Sequence, residues 1–252
     1  MGQISLQLYS VREATAKDFL ETLRNVAEMG YDGVQFAGFF ETPAKELKKV
    51  LDESGIVPAG SHMGYDTLLG DQLEATLAYN REIGNDLIIC PFLAPELRKN
   101  ADDYKKVAES LNQIGETCKQ HGFTFGYHNH NFEFEEVDGQ RGFDILFENT
   151  DPELVKMELD CFWVTHAGYS PQEVIEKYGD RVVSLHMKDM KQVDGKKVST
   201  EVGNGELDLS GLLEIGQQQG VHWFTVEQED FERDPLASAE INVRNLRELV
   251  KK

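Results

Sequence analysis

The sequence of 252 residues predicts an α/β protein, a single-domain (β/α)₈ TIM barrel that occupies residues 1–252. Three observations favour this fold. Short apolar segments rich in β-branched residues alternate with amphipathic segments, and such alternation indicates a parallel sheet. No change in composition divides the chain into smaller domains. Eight strand–helix units in about 250 residues match the usual size of a closed barrel.

The alternative architecture is a doubly wound open sheet. That fold usually carries a glycine-rich, phosphate-binding turn directly after its first strand. The corresponding stretch here, LYSVRE at residues 8–13, contains no glycine. The closed barrel is therefore the favoured prediction.

The individual elements follow from hydrophobic periodicity and from helix-stop signals. Apolar residues recur at helical spacing in the amphipathic segments, and six of these segments are followed by glycine, as at Gly30 and Gly122. The predicted strands are 4–9, 33–36, 56–62, 86–91, 123–130, 155–160, 182–187 and 223–227. The predicted helices are 17–29, 43–53, 72–83, 101–121, 143–149, 171–178, 209–219 and 235–250. Residues 188–206 are expected to form a long polar loop.

Composition excludes several classes of partner. The net charge is −20, from 45 acidic and 25 basic residues, which argues against nucleic acid or an anionic membrane surface as a partner. The three cysteines are far apart and indicate neither a disulfide framework nor a zinc knuckle. The N-terminal stretch does not have the pattern of a signal peptide, and no apolar run is long enough for a membrane helix. We therefore expect a cytoplasmic location.

Histidines and carboxylates recur where the predicted strands end, which is the end that carries the active site in this fold. His128 and His130 should face the same way, because side chains alternate along a strand. Taken singly, each residue has a structural alternative: Asp160 and Glu227 could cap helices, and His186 could be a core histidine. Together, a mixed His/carboxylate set suits Mn²⁺, Co²⁺, Fe²⁺, Zn²⁺ or Mg²⁺.

Several segments resemble a known family in the order in which they occur along the chain. They are LQLYSVR (6–12), YDGVQFAGF (31–39), SHMG (61–64), YHNHNFEF (127–134), ELDCFWVTHAG (158–168), LHMKDM (185–190), VGNGELD (202–208) and VEQED (226–230). The chain is similar over essentially its whole length to the sugar phosphate isomerase/epimerase superfamily, the xylose-isomerase-like TIM barrels. Its fifth-strand segment has the form YHNHxxEF.

The resemblance implies one divalent metal ion, with Mn²⁺ as the first candidate, bound by residues from strands five to eight. In this chain those positions are His128, Asp160, His186 and Glu227. The family usually has a glutamate where this chain has His128. Either His128 replaces that ligand or Glu133 folds back to supply it, and we favour His128.

The resemblance also implies a sugar or keto-sugar isomerase/epimerase that removes a proton next to a carbonyl through a metal-stabilised enediolate. The expected catalytic residues are Glu227, with Glu133 or His130 as a further base. If His128 binds the ion, epimerisation by two glutamates loses one base, and a lyase or dehydratase on a keto-sugar or keto-glycoside becomes the alternative. A non-catalytic carbohydrate-binding barrel is a third hypothesis. A metal-dependent endonuclease is disfavoured by the acidic charge.

A small-molecule carbohydrate is the expected partner, and a homodimer remains an open alternative. Five residues near the strand ends are candidates to contact it: Tyr9, Arg12, His62, Trp163 and Lys188. Lys188 could instead pair with Asp189, Trp163 could pack under a loop, and Arg12 could pair with a nearby carboxylate.

Overall fold

The computed structural model describes residues 2–250 and confirms the closed barrel of eight parallel strands. Around the barrel, each strand is bonded to its sequence neighbours, and β1 closes the sheet by pairing with β8. The strands are β1 (Gln3–Gln7), β2 (Gly33–Phe36), β3 (Val57–His62), β4 (Leu87–Cys90), β5 (Thr124–His128), β6 (Lys156–Asp160), β7 (Val182–Met187) and β8 (Trp223–Val226).

Helices surround the barrel and bury their apolar faces against it. The α-helices are α1 (Arg12–Lys17), α2 (Phe19–Glu28), α3 (Ala44–Ser54), α4 (Asp71–Ile83), α5 (Ala101–Gln120), α6 (Gly142–Glu148), α7 (Cys161–His166), α8 (Pro171–Tyr178), α9 (Leu209–Gln218) and α10 (Pro235–Val250). The longest, α5, begins where the side chain of Asn100 accepts a hydrogen bond from the amide of Asp103, as an N-cap residue does.

The structure differs from the predicted elements chiefly in four places. The first predicted helix, 17–29, begins at Phe19, because Asp18 has an extended backbone and caps α2 through the amide of Glu21, and the preceding helix α1 was not predicted. The fifth predicted strand, 123–130, ends at His128. The short helix α7 follows β6 directly and was not predicted. The predicted loop 188–206 contains an antiparallel ribbon, Asp189–Val193 paired with Lys196–Thr200.

The upper part of the barrel interior is polar, and the main apolar core lies between the strands and the helices. On β1, Ile4 and Leu6 belong to that outer core, whereas Ser5 and Gln7 alternate with them and point inward. The hydroxyl groups of Ser5 and Thr225, on the neighbouring strands β1 and β8, lie 2.8 Å apart. Trp223 alternates with Thr225 on β8 and lies against Gly33, so the inward-facing residues become polar above this level.

No helix in the part of the chain that the structure describes is both long and apolar enough to cross a membrane.

Candidate active site

A buried carboxylate, that of Glu158 on β6, is the centre of the site, and the sequence prediction did not include it. Its Oε1 lies 2.6 Å from His62 Nε2, 3.1 Å from His128 Nδ1 and 3.0 Å from His186 Nε2. Its Oε2 accepts a hydrogen bond from the amide of Gln35, which in turn accepts one of 2.6 Å from Gln7. Three imidazoles and one amide thus converge on a side chain with no exposed surface.

These contacts decide which ring nitrogen of each histidine carries a proton. Burial would raise the pKa of Glu158, but His186 and His62 outweigh burial and hold that pKa well below its usual value. An ionised carboxylate only accepts hydrogen bonds, so the three imidazoles must donate to it. In the neutral tautomers this leaves a lone pair on Nε2 of His128 and on Nδ1 of His62, and these nitrogens remain for an ion or a substrate. His186 Nδ1 lies 3.1 Å from Glu227 Oε2 and donates to it, so this nitrogen can bind an ion only once that proton has left.

Two of these imidazole nitrogens, on His128 and His186, face the same space as two carboxylate oxygens, on Asp160 and Glu227. The atoms in question are His128 Nε2, His186 Nδ1, Asp160 Oδ2 and Glu227 Oε2, and they form one compact group of possible metal ligands. Asp160 Oδ2 lies 4.0 Å from His128 Nε2 and 3.9 Å from His186 Nδ1. His186 Nδ1 lies 3.1 Å from Glu227 Oε2. Two ligands at roughly 2.0–2.2 Å from one ion are at most about 4.4 Å apart, and each of these three separations is within that limit.

An unpartnered atom supports this fit. Asp160 Oδ2 is buried and has no hydrogen-bond partner among the described residues, whereas Oδ1 caps α7 by accepting the amide of Trp163 at 2.9 Å. Burial raises the pKa of Asp160 to about 6. A buried polar atom without a partner is costly, and a cation would satisfy it. The donor set of two nitrogens and two carboxylate oxygens suits a divalent transition metal.

A second group that could hold a metal shares two of these residues and consists of His62, His128, Glu158 and His186. Here, however, each imidazole already lies at hydrogen-bond distance from Glu158, between 2.6 and 3.1 Å. The carboxylate oxygen of this group is thus already satisfied, whereas Asp160 Oδ2 in the first group has no hydrogen-bond partner among the described residues. The group around Asp160 is therefore the better metal site, and Glu158 supports it from below.

Lys188 brings a buried positive charge to the site. It is almost fully buried, and its ammonium group contacts Glu229 and lies 3.4 Å from Glu227 Oε2. Burial would lower the pKa of Lys188, but these carboxylates outweigh burial and raise it. The alternative pairing with Asp189 does not occur. Asp189 instead accepts hydrogen bonds from backbone amides of the loop after the ribbon, including those of Gly203 and Gly205 at 2.9 Å each.

Neighbouring charges also shift the pKa values of His186 and Glu227. Burial would lower the pKa of His186, yet Glu158 and Glu227 raise it to about 10. For Glu227, burial is outweighed by Lys188 and His186, and the pKa lies well below its usual value. The carboxylate of Glu227 is therefore ionised at neutral pH.

A pocket of about 420 Å³ opens above these residues at the strand ends. Most of the predicted substrate and catalytic residues lie on its wall or just beneath it. Its lining is Tyr9, Ala37, His62, Pro91, Phe92, His128, His130, Glu227 and Glu229. Trp163 is half-buried beside the pocket, with its ring 5.8 Å from that of His130 and 5.0 Å from the Lys188 nitrogen. Arg12 is exposed outside the lining and covers the Tyr9 ring at 4.7 Å.

His130 lies just beyond the end of β5, yet its ring remains 5.0 Å from that of His128. It stacks on Phe132, with ring planes inclined by 7°. Burial lowers the pKa of His130 to about 2, so its imidazole is neutral.

Glu133 is not brought into the pocket. Tyr127 donates a hydrogen bond to Glu133 Oε1, and the amide of His130 donates one of 2.8 Å to Oε2. Tyr127 alternates with His128 along β5 and faces the helices, where its ring contacts that of Phe147. Glu133 thus fastens the segment after β5 to the outer side of the strand, and the structure does not place it beside the ion site.

The environment of Glu133 makes stability depend on pH. Burial raises the pKa of Glu133 to about 8, compared with 4.5 for a free glutamate. Between these values the folded chain keeps the proton and the unfolded chain does not, so rising pH favours unfolding. We expect Glu133→Gln, which carries no charge, to gain thermal stability relative to wild type as the pH rises from about 5 to about 8. Melting curves measured across this range test the expectation.

Glu135→Gln is the matched control, because Glu135 is exposed and only two residues away. Its difference from wild type should stay constant over the same range. A Glu133→Gln difference that does not change with pH contradicts the assignment.

Comparison with known proteins places the chain in a family. The family model described as "Xylose isomerase-like TIM barrel" matches residues 23–249. Inosose dehydratase from Geobacillus kaustophilus (strain HTA426) is 26% identical over an alignment of 190 positions, which covers 68% of this chain and 62% of that protein. The chain thus spans less than two thirds of the length of this relative.

Two solved structures show the same fold. A sugar phosphate isomerase/epimerase from Parabacteroides distasonis ATCC 8503 has a TM-score of 0.85 at 24% identity, covering 99% of this chain and 96% of the other. L-ribulose 3-epimerase has a TM-score of 0.74 at 17% identity, covering 100% and 96%. With a family match that spans nearly all of the chain and a closed barrel of eight parallel strands, the protein belongs to the xylose isomerase-like TIM barrel family.

Proposed function

We propose that this protein is a divalent-metal-dependent enzyme that removes the proton next to the carbonyl of a keto-sugar or of a related cyclic polyol that carries a ketone. Elimination, the reaction of a lyase or dehydratase, is the outcome that the site favours. His128, Asp160, His186 and Glu227 would hold the ion, and Mn²⁺ is the first candidate because the donors mix imidazole nitrogen with carboxylate oxygen. Tyr9, His62 and Trp163 would contact the substrate.

The main support for this proposal is the position of the carboxylates: among the described residues that line the pocket, both carboxylates lie on the side of β8. Glu227 follows β8 directly, and Glu229 lies two residues further along the same loop. At the end of β5, across the barrel, the side chain is the imidazole of His128, which is committed to Glu158 and to the ion site. Epimerisation by two carboxylates needs one on each face of the sugar. Elimination needs only one.

Glu227 has the geometry of that base. Its Oε2 faces the ion site and Lys188, while Oε1 has no hydrogen bond within residues 2–250 and belongs to a side chain on the pocket wall. Oε1 takes the proton from the carbon next to the carbonyl, and the electron pair of that C–H bond forms a C=C bond. The C–O bond on the adjacent carbon breaks, and the Glu227 carboxyl group returns its proton to the departing oxygen. When bound, the ion supplies Lewis-acid stabilisation of charge at the carbonyl oxygen.

The relative with the longest match is consistent with this outcome, since its name, inosose dehydratase, states the loss of water from an inosose. Its 26% identity supports the reaction class and does not identify the substrate.

Isomerisation or epimerisation is the second candidate, and His62 favours it. The ring of His62 donates through Nε2 to Glu158 at 2.6 Å, which leaves Nδ1 as an acceptor on a residue that lines the pocket. β3 and β8 are three positions apart around the barrel, so His62 and Glu227 approach the pocket from different sides. An imidazole held in this way could take a proton from one carbon through Nδ1 and return the same proton to the neighbouring carbon, which is an isomerisation.

The position of Glu158 predicts the effect of removing its charge. In Glu158→Gln, an amide NH₂ group must face either the donating imidazoles or the donating amide of Gln35. Removing such a partner of ligating histidines typically weakens metal binding by about 10- to 100-fold. We expect the Kd for Mn²⁺ to rise by that factor in calorimetric titrations.

Glu153→Gln, on the exposed surface just before β6, is the matched control and should bind Mn²⁺ like wild type. Glu158→Asp is the second variant if Glu158→Gln does not fold, since it keeps the charge and shortens its reach. Unchanged Mn²⁺ affinity in the folded Glu158 variant contradicts the role assigned to this carboxylate.

The reaction class is tested by incubating the Mn²⁺-loaded protein in D₂O with inosose and a panel of keto-sugars, followed by NMR and mass spectrometry. Loss of water supports elimination, and deuterium next to the carbonyl of an intact skeleton supports isomerisation. Glu227→Gln, assayed at saturating Mn²⁺, should lower the rate by about 10²- to 10⁴-fold because the base is lost.

Glu232→Gln is the control for this experiment, because Glu232 is an exposed carboxylate paired with Lys191 away from the pocket. No reaction of the wild type with any compound, or a Glu227→Gln rate equal to wild type, contradicts the proposal.

A further inference from the structure

The pocket has two chemically different parts. The floor carries the histidines and carboxylates already described, close to the ion site. The outer part is formed by Tyr9, Ala37, Pro91 and Phe92, none of which is charged. At about 420 Å³ the pocket falls within the roughly 300–1,000 Å³ typical of sites for drug-sized ligands, so it has room beyond a single sugar ring.

Two aromatic rings of this outer part are held in place although they are exposed. Tyr9 is 46% exposed and Phe92 is 45% exposed. The amide of Tyr9 donates to the side chain of Gln7 at 3.0 Å, and Arg12 covers one face of its ring. Phe92 packs edge-on against Phe132 at 5.3 Å. The guanidinium group of Arg98 lies 5.9 Å from the centre of the Phe92 ring. Two large aromatic groups are thus held at the mouth of the pocket while about half of each remains exposed.

The two rings approach the mouth from different sides. Tyr9 follows β1 and Phe92 follows β4, and these strands are three positions apart around a barrel of eight. Sugar rings and aryl groups both present flat apolar faces that pack on aromatic side chains. A ring attached to a keto-sugar bound at the floor would pass between Tyr9 and Phe92 as it leaves the pocket.

The charges around the pocket disfavour a phosphate group in the same position. No lysine or arginine is among the described residues that line it, and two of its lining residues are the carboxylates Glu227 and Glu229. Lys188 lies beneath the wall and is already paired with both. The guanidinium group of Arg98 stacks on Phe132 at 3.6 Å and donates to the backbone oxygen of Leu93. Arg12 lies outside the lining, where it covers the Tyr9 ring and donates to the backbone oxygen of Tyr9 at 3.1 Å. A phosphate dianion inside the pocket would therefore meet the two carboxylates with no cation in the lining.

We propose that Tyr9 and Phe92 form a subsite for a second ring, so that the substrate is an uncharged keto-glycoside and not a sugar phosphate. The second ring is either a sugar residue or an aryl group, which share the apolar face that the subsite recognises. This inference rests on the proposed function for the placement of the keto-sugar at the floor of the pocket.

Binding to the Mn²⁺-loaded protein tests the subsite without any need for turnover. The probes are the methyl, phenyl and glucosyl β-glycosides of 3-ketoglucose and the 6-phosphate of the methyl glycoside, titrated by calorimetry. We expect the phenyl or the glucosyl glycoside, or both, to bind about tenfold tighter than the methyl glycoside, equivalent to about 1.4 kcal/mol. The comparison between these two identifies the kind of ring. The 6-phosphate should bind no tighter than the unphosphorylated methyl glycoside.

Phe92→Ala should remove most of the preference for the larger glycosides. Phe40→Ala is the matched control, because Phe40 is 46% exposed and does not line the pocket. Tyr9→Ala is the second variant for the opposite side of the mouth. Equal binding of all glycosides, tighter binding of the 6-phosphate, absence of binding by every probe, or a preference that survives both pocket substitutions overturns the inference.

Glycoside binding and exchange in D₂O together distinguish failure of the subsite from failure of the proposed reaction. Preference for the larger glycosides without any exchange in D₂O leaves the subsite standing and removes the proposed reaction. Exchange with keto-sugars together with tighter binding of the 6-phosphate leaves the reaction standing and removes the subsite.

Discussion

The hydrogen bonds to the Glu158 carboxylate are the interaction on which the rest of the site depends. A buried carboxylate without partners would cost several kcal/mol of stability, and here three imidazoles and the amide of Gln35 satisfy it. By accepting from His128 Nδ1, this carboxylate leaves Nε2 of that ring available for an ion. His186 Nε2 lies 3.0 Å from Glu158 Oε1 and 2.9 Å from Gln35 Oε1, which turns Nδ1 of that ring towards Asp160 and Glu227. The stability of the barrel interior and the orientation of the proposed metal ligands therefore have one physical cause.

The alternation of side chains along a strand explains why this carboxylate lies under the ion site. Glu158 and Asp160 are two residues apart on β6, so both point into the barrel, one level above the other. At the lower level, atoms lie at hydrogen-bond distance from one another. At the upper level, Asp160 Oδ2 is separated from the histidine nitrogens by 3.9 and 4.0 Å, which is the separation that an ion can bridge. The pocket with its aromatic mouth opens above that level.

Much of this architecture follows from sequence, and the parts that do not have physical reasons. The barrel follows from alternating strands and helices, and Asp160 follows from its place at a strand end. Glu158 was missed because the prediction considered only the strand ends, although its period-two relation to Asp160 was an available signal. Glu133 was expected near the substrate, but the direction in which a loop folds back depends on distant partners, here Tyr127. Asp189 binds backbone amides, which carry no sequence signal.

One divalent ion is expected to bind at the upper level, above Glu158. Anomalous X-ray diffraction from crystals grown with Mn²⁺ measures this position directly. We expect a single peak within roughly 2.0–2.3 Å of His128 Nε2, Asp160 Oδ2, His186 Nδ1 and Glu227 Oε2. A peak between His62 and Glu158, or no peak at the four atoms at saturating Mn²⁺, would contradict it.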